Sequence, residues 1–210
     1  MTDITKACTP RLAAYPYGIM MKTLALIGIA ALVLFVGYTQ WEYFDSLTEK
    51  QRLIATSNFP IVGETAPDFS LPSLDEGSKS LDNYAGLPLV IDFWTTWCGI
   101  CKEEFPTFEE FHHAYGEQIP LLAICSGTSQ EDAVTLIEEG GYTFPVLYDD
   151  GKSIARAYQP QEESVKREIT AFPFTVFIDA SGTVVYAKAG IFTSMDELLQ
   201  LLRKLEFPLD

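Results

Sequence analysis

The chain has 210 residues, 48% hydrophobic and 20% charged, which fits one domain of ordinary size plus appendages and argues against collagen-like, low-complexity and wholly disordered chains. Its 14 Lys+Arg against 29 Asp+Glu give a formal charge of −15, so it lacks the clustered cations that a nucleic-acid-binding surface needs. Four cysteines are too few for a disulfide-built scaffold of this length.

From the N-terminus, residues 23–41 carry no charge. As a helix they would span about 28 Å, close to the roughly 30 Å hydrocarbon core of a bilayer. Lys6, Arg11 and Lys22 precede the run and Glu42, Asp45 and Glu49 follow it, a bias that keeps the N-terminus cytoplasmic. Tyr38, Trp41 and Tyr43 sit where an interfacial aromatic belt would. The expected organisation is therefore a cytoplasmic tail over 1–22 and a single transmembrane signal-anchor helix over 23–41. A stalk or linker over 42–64 and a globular domain over 65–210 follow, on the outer face of the cytoplasmic membrane. A cleaved signal peptide is the alternative, but no small-x-small site follows the apolar run. Met1, Met20 and Met21 all remain open as the initiator. A buried soluble helix fits less well, because no face of the run is polar. Residues 65–210 hold 24 acids and 9 bases, so the charge imbalance lies entirely in that domain, where it serves solubility.

The almost continuous apolar run 87–94 predicts a central strand buried on both faces. Phe105, Phe108, Phe111 and Tyr115 have helical spacing over 99–115. Residues 120–125 read as a strand, 130–139 as a helix capped by Ser129, and 143–148 as a short strand. Strands over 174–179 and 183–188 flank Ala180-Ser181-Gly182 as a hairpin. Residues 194–205 form a closing amphipathic helix. The pattern is α/β with a mixed sheet.

Trp94-Thr95-Thr96-Trp97-Cys98-Gly99-Ile100-Cys101-Lys102 joins the buried strand to the helix. A cysteine at the first turn of a helix faces unpaired N–H groups and the positive end of the dipole, both of which favour thiolate at Cys98. Cys101 lies one turn on, within reach of a mixed disulfide made by Cys98. A purely structural disulfide has no need of a helix start after a buried strand. A metal site needs about four ligands, and the other candidates are only His112, His113, Cys125 and Cys8, with Cys8 across the membrane. Cys125 reads as an inert core cysteine.

The segment Asp92 to Lys102 resembles the active-site segment of thioredoxins. The wider pattern is similar to the membrane-anchored TlpA/ResA-like thiol-disulfide oxidoreductases of the redoxin/AhpC-TSA-like superfamily. Gly63-Glu64-Thr65-Ala66-Pro67-Asp68-Phe69-Ser70-Leu71 resembles their opening strand, and Leu81-Asp82-Asn83-Tyr84-Ala85-Gly86 the turn into the central strand. Lys102-Glu103-Glu104-Phe105-Pro106 resembles the continuation of the active-site helix, and Phe172-Pro173-Phe174-Thr175-Val176-Phe177-Ile178-Asp179 the cis-proline strand. The resemblance covers about 63–205. It implies a thioredoxin-like fold with a mixed central sheet and an N-terminal β extension.

On that resemblance Cys98 is the attacking thiol, Cys101 the resolving thiol, and the two form a redox-active disulfide. Asp92 matches the buried acid that takes a proton from the resolving thiol; a strand Asp hydrogen-bonded at a sheet edge is the alternative. Glu104 matches the acid these proteins place near the cysteines, with a solvated helix surface as the alternative. Pro106 would kink the helix. Trp97, Gly99, Ile100, Phe172 and cis-Pro173 would contact the substrate, an extended client segment pairing with the backbone of Phe172. The implied partners are protein thiol or disulfide clients and a membrane electron donor of the DsbD/CcdA type, with no cofactor, no metal and no nucleic acid. A reductant role is favoured, with cytochrome c maturation as a candidate pathway. Two features depart from the pattern. Ile100 stands where Pro is common, and 158–173 is longer than the usual turn. Residues 161–169 would form a charged lip bearing Glu162, Glu163, Lys166 and Arg167, or a tolerated surface insertion. The rival functions are a peroxiredoxin-like thiol peroxidase, against which Ile91 stands where that family has proline, and a metal chaperone of thioredoxin fold.

Overall fold

The computed structural model describes residues 17–55, 57, 59–75, 77–159 and 171–209. The lip expected over 161–169 lies outside them. The chain divides into two units, Met1–Leu47 and Thr48–Asp210. The first is built on helix α1 (Tyr17–Ser46). Within it Leu24–Glu42 is long and apolar enough to cross a membrane, and none of that stretch is buried.

The second unit begins earlier than the boundary at 65 read from composition. Helix α2 (Glu49–Ala55) starts at a reciprocal cap, in which Gln51 N–H donates to Thr48 Oγ1 at 3.3 Å and Thr48 N–H donates to Gln51 Oε1 at 2.9 Å. Leu53 and Ile54 pack against the core, Lys50 pairs with Asp179 at 3.1 Å, and Ile61 is buried. These apolar side chains turn the second half of the expected stalk into part of the globular unit.

Strands β1 (Ser70–Pro72) and β2 (Ser78–Ser80) pair antiparallel as the N-terminal β extension. A 3₁₀ turn (Leu81–Tyr84) follows. The main sheet contains β3 (Leu89–Trp94), β4 (Leu121–Ser126), β5 (Val146–Asp149), β6 (Phe174–Ile178) and β7 (Val184–Ala189), in the order β5-β4-β3-β6-β7. β4 runs parallel to β3 and β5, while β6 is antiparallel to β3 and β7, giving the mixed sheet. Every residue of β3 and β4 is buried, as their near-continuous apolar runs require.

Side chains alternate across β3. Leu89, Ile91 and Phe93 join one apolar cluster with Leu71, Ala155 and Tyr158. Val90 and Trp94 join the other, with residues of α3 (Gly99–Tyr115) and α6 (Met195–Lys204). Asp92 shares the parity of Val90 and Trp94, so β3 sends it towards α3. Helix α4 (Gln130–Gly140) is capped as expected, Asp132 N–H donating to Ser129 Oγ at 3.1 Å. Helix α5 (Ser153–Tyr158) was not apparent in the pattern. Its start is closed by the buried Asp149 carboxylate, which accepts from the backbone of Ser153, Ile154 and Ala155 at 3.0–3.1 Å and from the hydroxyls of Ser126 and Ser153, both at 3.2 Å.

Candidate active site

The site lies where β3 gives way to α3. Cys98 N–H donates to Thr95 O at 3.1 Å, folding the turn, and Cys98 becomes the N-cap of α3. Its Sγ accepts from Cys101 N–H at 3.2 Å. Cys98 and Cys101 are joined by a disulfide, with Cα atoms 5.4 Å apart. Cys98 is 7% exposed and Cys101 is wholly buried, so attack from solvent has access only to the first sulfur. Trp97 and Ile100 stand out beside it, 67% and 51% exposed. Gly99 opens α3 with nothing near the position a side chain would take. The Phe172–Pro173 peptide is cis, Pro173 is buried, and the Phe172 ring meets Trp97 edge to face at 6.1 Å. The sequence-predicted residues Trp97, Cys98, Cys101 and Phe172 are thus brought to one face.

Two carboxyls lie beneath. Asp92 is completely buried on the central strand, and Thr175, its direct cross-strand partner on β6, donates Oγ1 to Asp92 Oδ1 at 3.3 Å. Glu104 is one helical turn beyond Cys101 and also completely buried; its Oε2 accepts from Phe192 N–H at 3.1 Å. Asp92 Oδ2 and Glu104 Oε1 have no partner among the described residues. Burial therefore pushes both carboxyls far above the ordinary carboxylate range, and Glu104 is raised further by the Asp92 charge. The two acids interact electrically, so protons leave them as a pair. A carboxyl held near neutral titration can exchange a proton with a buried thiol, whose ordinary value lies in the same region.

Asp92 is on the sheet's central strand, not an edge, and Glu104 is not on solvated helix surface. α3 passes through Pro106 as one helix. His113 pairs with Glu109 on the helix surface at 2.9 Å. Among the described residues no three His, Cys, Asp or Glu side chains gather as metal ligands. Cys125 is free and buried, and desolvation pushes its thiol up to about 12. Thr175 and Lys152 were missed by sequence reasoning. The Thr175 hydroxyl follows from strand pairing. The ammonium of Lys152 lies 5.7 Å from the Trp97 ring centroid and 5.8 Å from that of Phe172, a contact with no sequence signal.

The AhpC/TSA family model matches residues 62–187, well over half of the chain. The chain belongs to the AhpC/TSA family. Among its relatives, the thiol-disulfide oxidoreductase ResA of Geobacillus kaustophilus is 30% identical over 85% of this chain and 91% of its own. The thioredoxin-like protein YneN of Bacillus subtilis is 27% identical over 81% of this chain and 94% of its own. The crystal structure of the exposed lipoprotein thioredoxin Etrx1 of Streptococcus pneumoniae superposes with a TM-score of 0.56 at 27% identity, covering 66% of this chain and all of that one. The fold is thioredoxin-like, and this AhpC/TSA member is a thiol-disulfide oxidoreductase.

Proposed function

We propose that the protein is a membrane-anchored, extracytoplasmic reductant of protein disulfides, acting through Cys98-Gly99-Ile100-Cys101. The observation that carries this reading is the Cys98–Cys101 disulfide at the start of α3, with one sulfur at the surface and the other buried in the Asp92 and Glu104 region. In the reduced protein the Cys98 thiolate attacks one sulfur of a client disulfide and the other client sulfur leaves as a thiolate. The Cys101 thiol then gives its proton to the buried pair, in the fraction of molecules in which one of the two carboxyls is ionised, and attacks Cys98 Sγ. The second client thiolate departs and the protein holds the disulfide; the client has gained two electrons, and its two thiolates take up one proton equivalent to that released through the carboxyl pair and the other from solvent. Asp92 and Glu104 serve this proton transfer. Trp97, Gly99 and Ile100 shape the contact, and a client segment pairs with the backbone beside Pro173.

α1 anchors the catalytic unit, with the basic residues before it retained in the cytoplasm. A membrane electron carrier of the DsbD/CcdA type recharges the disulfide, and the clients include apocytochrome cysteines awaiting haem attachment. A peroxidase reading shares the family name, but a resolving cysteine three residues after the first favours disulfide exchange. The test is a Cys101→Ser variant in membranes. It is expected to accumulate mixed disulfides with protein clients through Cys98, on the outer face, and to be inactive towards peroxide. Adducts through Cys101 in a Cys98→Ser variant, with none in Cys101→Ser, would reverse the roles.

A further inference from the structure

The globular unit is strongly acidic, and three of its six described lysines pair with carboxylates. Lys50 meets Asp179, Lys188 meets Glu197 and Lys204 meets Glu49. Lys152 meets no carboxylate among the described residues. Its ammonium is held instead against the Trp97 and Phe172 rings, which flank the disulfide on the helix side and the cis-proline side. Aromatic faces attract a cation without cancelling its charge.

The backbone is arranged for this. Lys152 has φ +57°, in the left-handed region that side chains other than Asn and Asp enter rarely. It precedes α5 but makes no side-chain capping bond, a task already met by Asp149. Its stem crosses Gly127, where an added Cβ would fall 1.8 Å from Lys152 Cε. Gly127 N–H and Lys152 N–H both donate to Asp149 O, at 3.1 and 3.3 Å, fixing the two loops together. A glycine, a left-handed lysine and a shared carbonyl thus hold the Lys152 ammonium, without a carboxylate partner among the described residues, at the mouth of the redox site.

We propose that Lys152 is a specificity-determining residue, which pairs with a carboxylate carried close to the reactive cysteine of the client. This rests on the reading of the protein as a reductant of protein disulfides and names the client class that it prefers. The acidic surface repels acidic clients at a distance, so the preference is made at contact, where Trp97 and Phe172 exclude water from one side of the ammonium.

The experiment uses the full chain, reduced, in detergent micelles. Its substrates are two peptide disulfides identical except for Glu or Gln two residues from the cysteine. Second-order reduction rates are compared for wild type, Lys152→Arg, Lys152→Gln and Lys152→Glu. The Glu/Gln rate ratio is expected to be kept by Lys152→Arg, to fall about threefold in Lys152→Gln and about tenfold in Lys152→Glu, as a partly shielded ion pair gives. The Gln peptide is the reference in each protein, so that an effect of the substitution common to both reactions cancels in the ratio. Equal ratios in all four proteins, with both peptides still reduced, would overturn the role of Lys152 alone. Failure of wild type to reduce either peptide would instead remove the reductant reading beneath it.

Discussion

Asp92→Asn should make the protein more stable, by an amount that depends on pH. The folded chain holds the Asp92 proton to about pH 8, whereas the unfolded group releases it near 3.8. Between those values the folded state binds more protons than the unfolded state, so stability falls as pH rises. Each unit of separation corresponds to roughly 1.4 kcal/mol. At pH 7 the cost in the wild type is therefore up to about 4 kcal/mol, and above pH 8 it levels off. Asn has no proton to lose, so this component vanishes in the variant. Oxidised residues 48–210, which carry their own core, would be unfolded in urea at pH 4, 5.5, 7 and 8.5. The variant's advantage is expected to be near zero at pH 4, to grow to at least about 1 kcal/mol by pH 7, and to flatten beyond pH 8. A gap that does not change with pH, or a less stable variant at pH 8.5, would refute the argument that Asp92 is a buried acid without adequate partners. The same variant should slow the resolving step of disulfide exchange.

Glu104→Gln keeps an acceptor for Phe192 N–H and should likewise gain on wild type as pH rises above 4.5, read by the same unfolding series. Glu104→Ala loses that acceptor and should be less stable than Glu104→Gln by about 2 kcal/mol. Asp149→Ala leaves three backbone donors at the start of α5 unpaired and should cost about 3 kcal/mol or more in the same assay. In the reduced protein at pH 6, iodoacetamide should label Cys98 and spare Cys101 and Cys125, by peptide mass mapping; equal labelling of Cys98 and Cys101 would contradict the exposed and buried roles.

The element pattern of the globular unit was readable wherever local sequence and tertiary burial agree. Phe105, Phe108 and Phe111 set the face of α3, and the structure gives that helix the span read from spacing, Gly99–Tyr115. Strand β3 starts at Leu89, after Pro88, whose nitrogen cannot join a ladder. Strand β5 starts at Val146, later than 143, because the N–H groups of Thr143 and Phe144 are taken by Glu109 and Pro145 has none. The burial of Glu104 was half legible. It lies one turn from Cys101 and beside Phe105 on the inward stripe, but its charge suggested solvent. Short α5 was illegible because its six residues are too few to show a helical repeat and its first turn is closed by Asp149, the last residue of β5, rather than by the residue at its cap. The Lys152 contact needed the loops after β4 and β5 to meet, which no spacing records.

The high proton affinity of Cys125 has a consequence for electron bookkeeping. Thiol-disulfide exchange proceeds through the thiolate, and a thiol titrating at about 12 is ionised to roughly one part in 10⁵ at pH 7. Although Cys125 is paired in register with Trp94, at the end of the strand leading to the disulfide, it is a poor competitor for Cys98. The reduced unit from residue 48 should therefore behave as a clean two-electron couple, free of internal scrambling. A disulfide oxidant would draw two electrons from the folded reduced unit, leaving Cys98 joined to Cys101, and would reach the Cys125 sulfur only after denaturation.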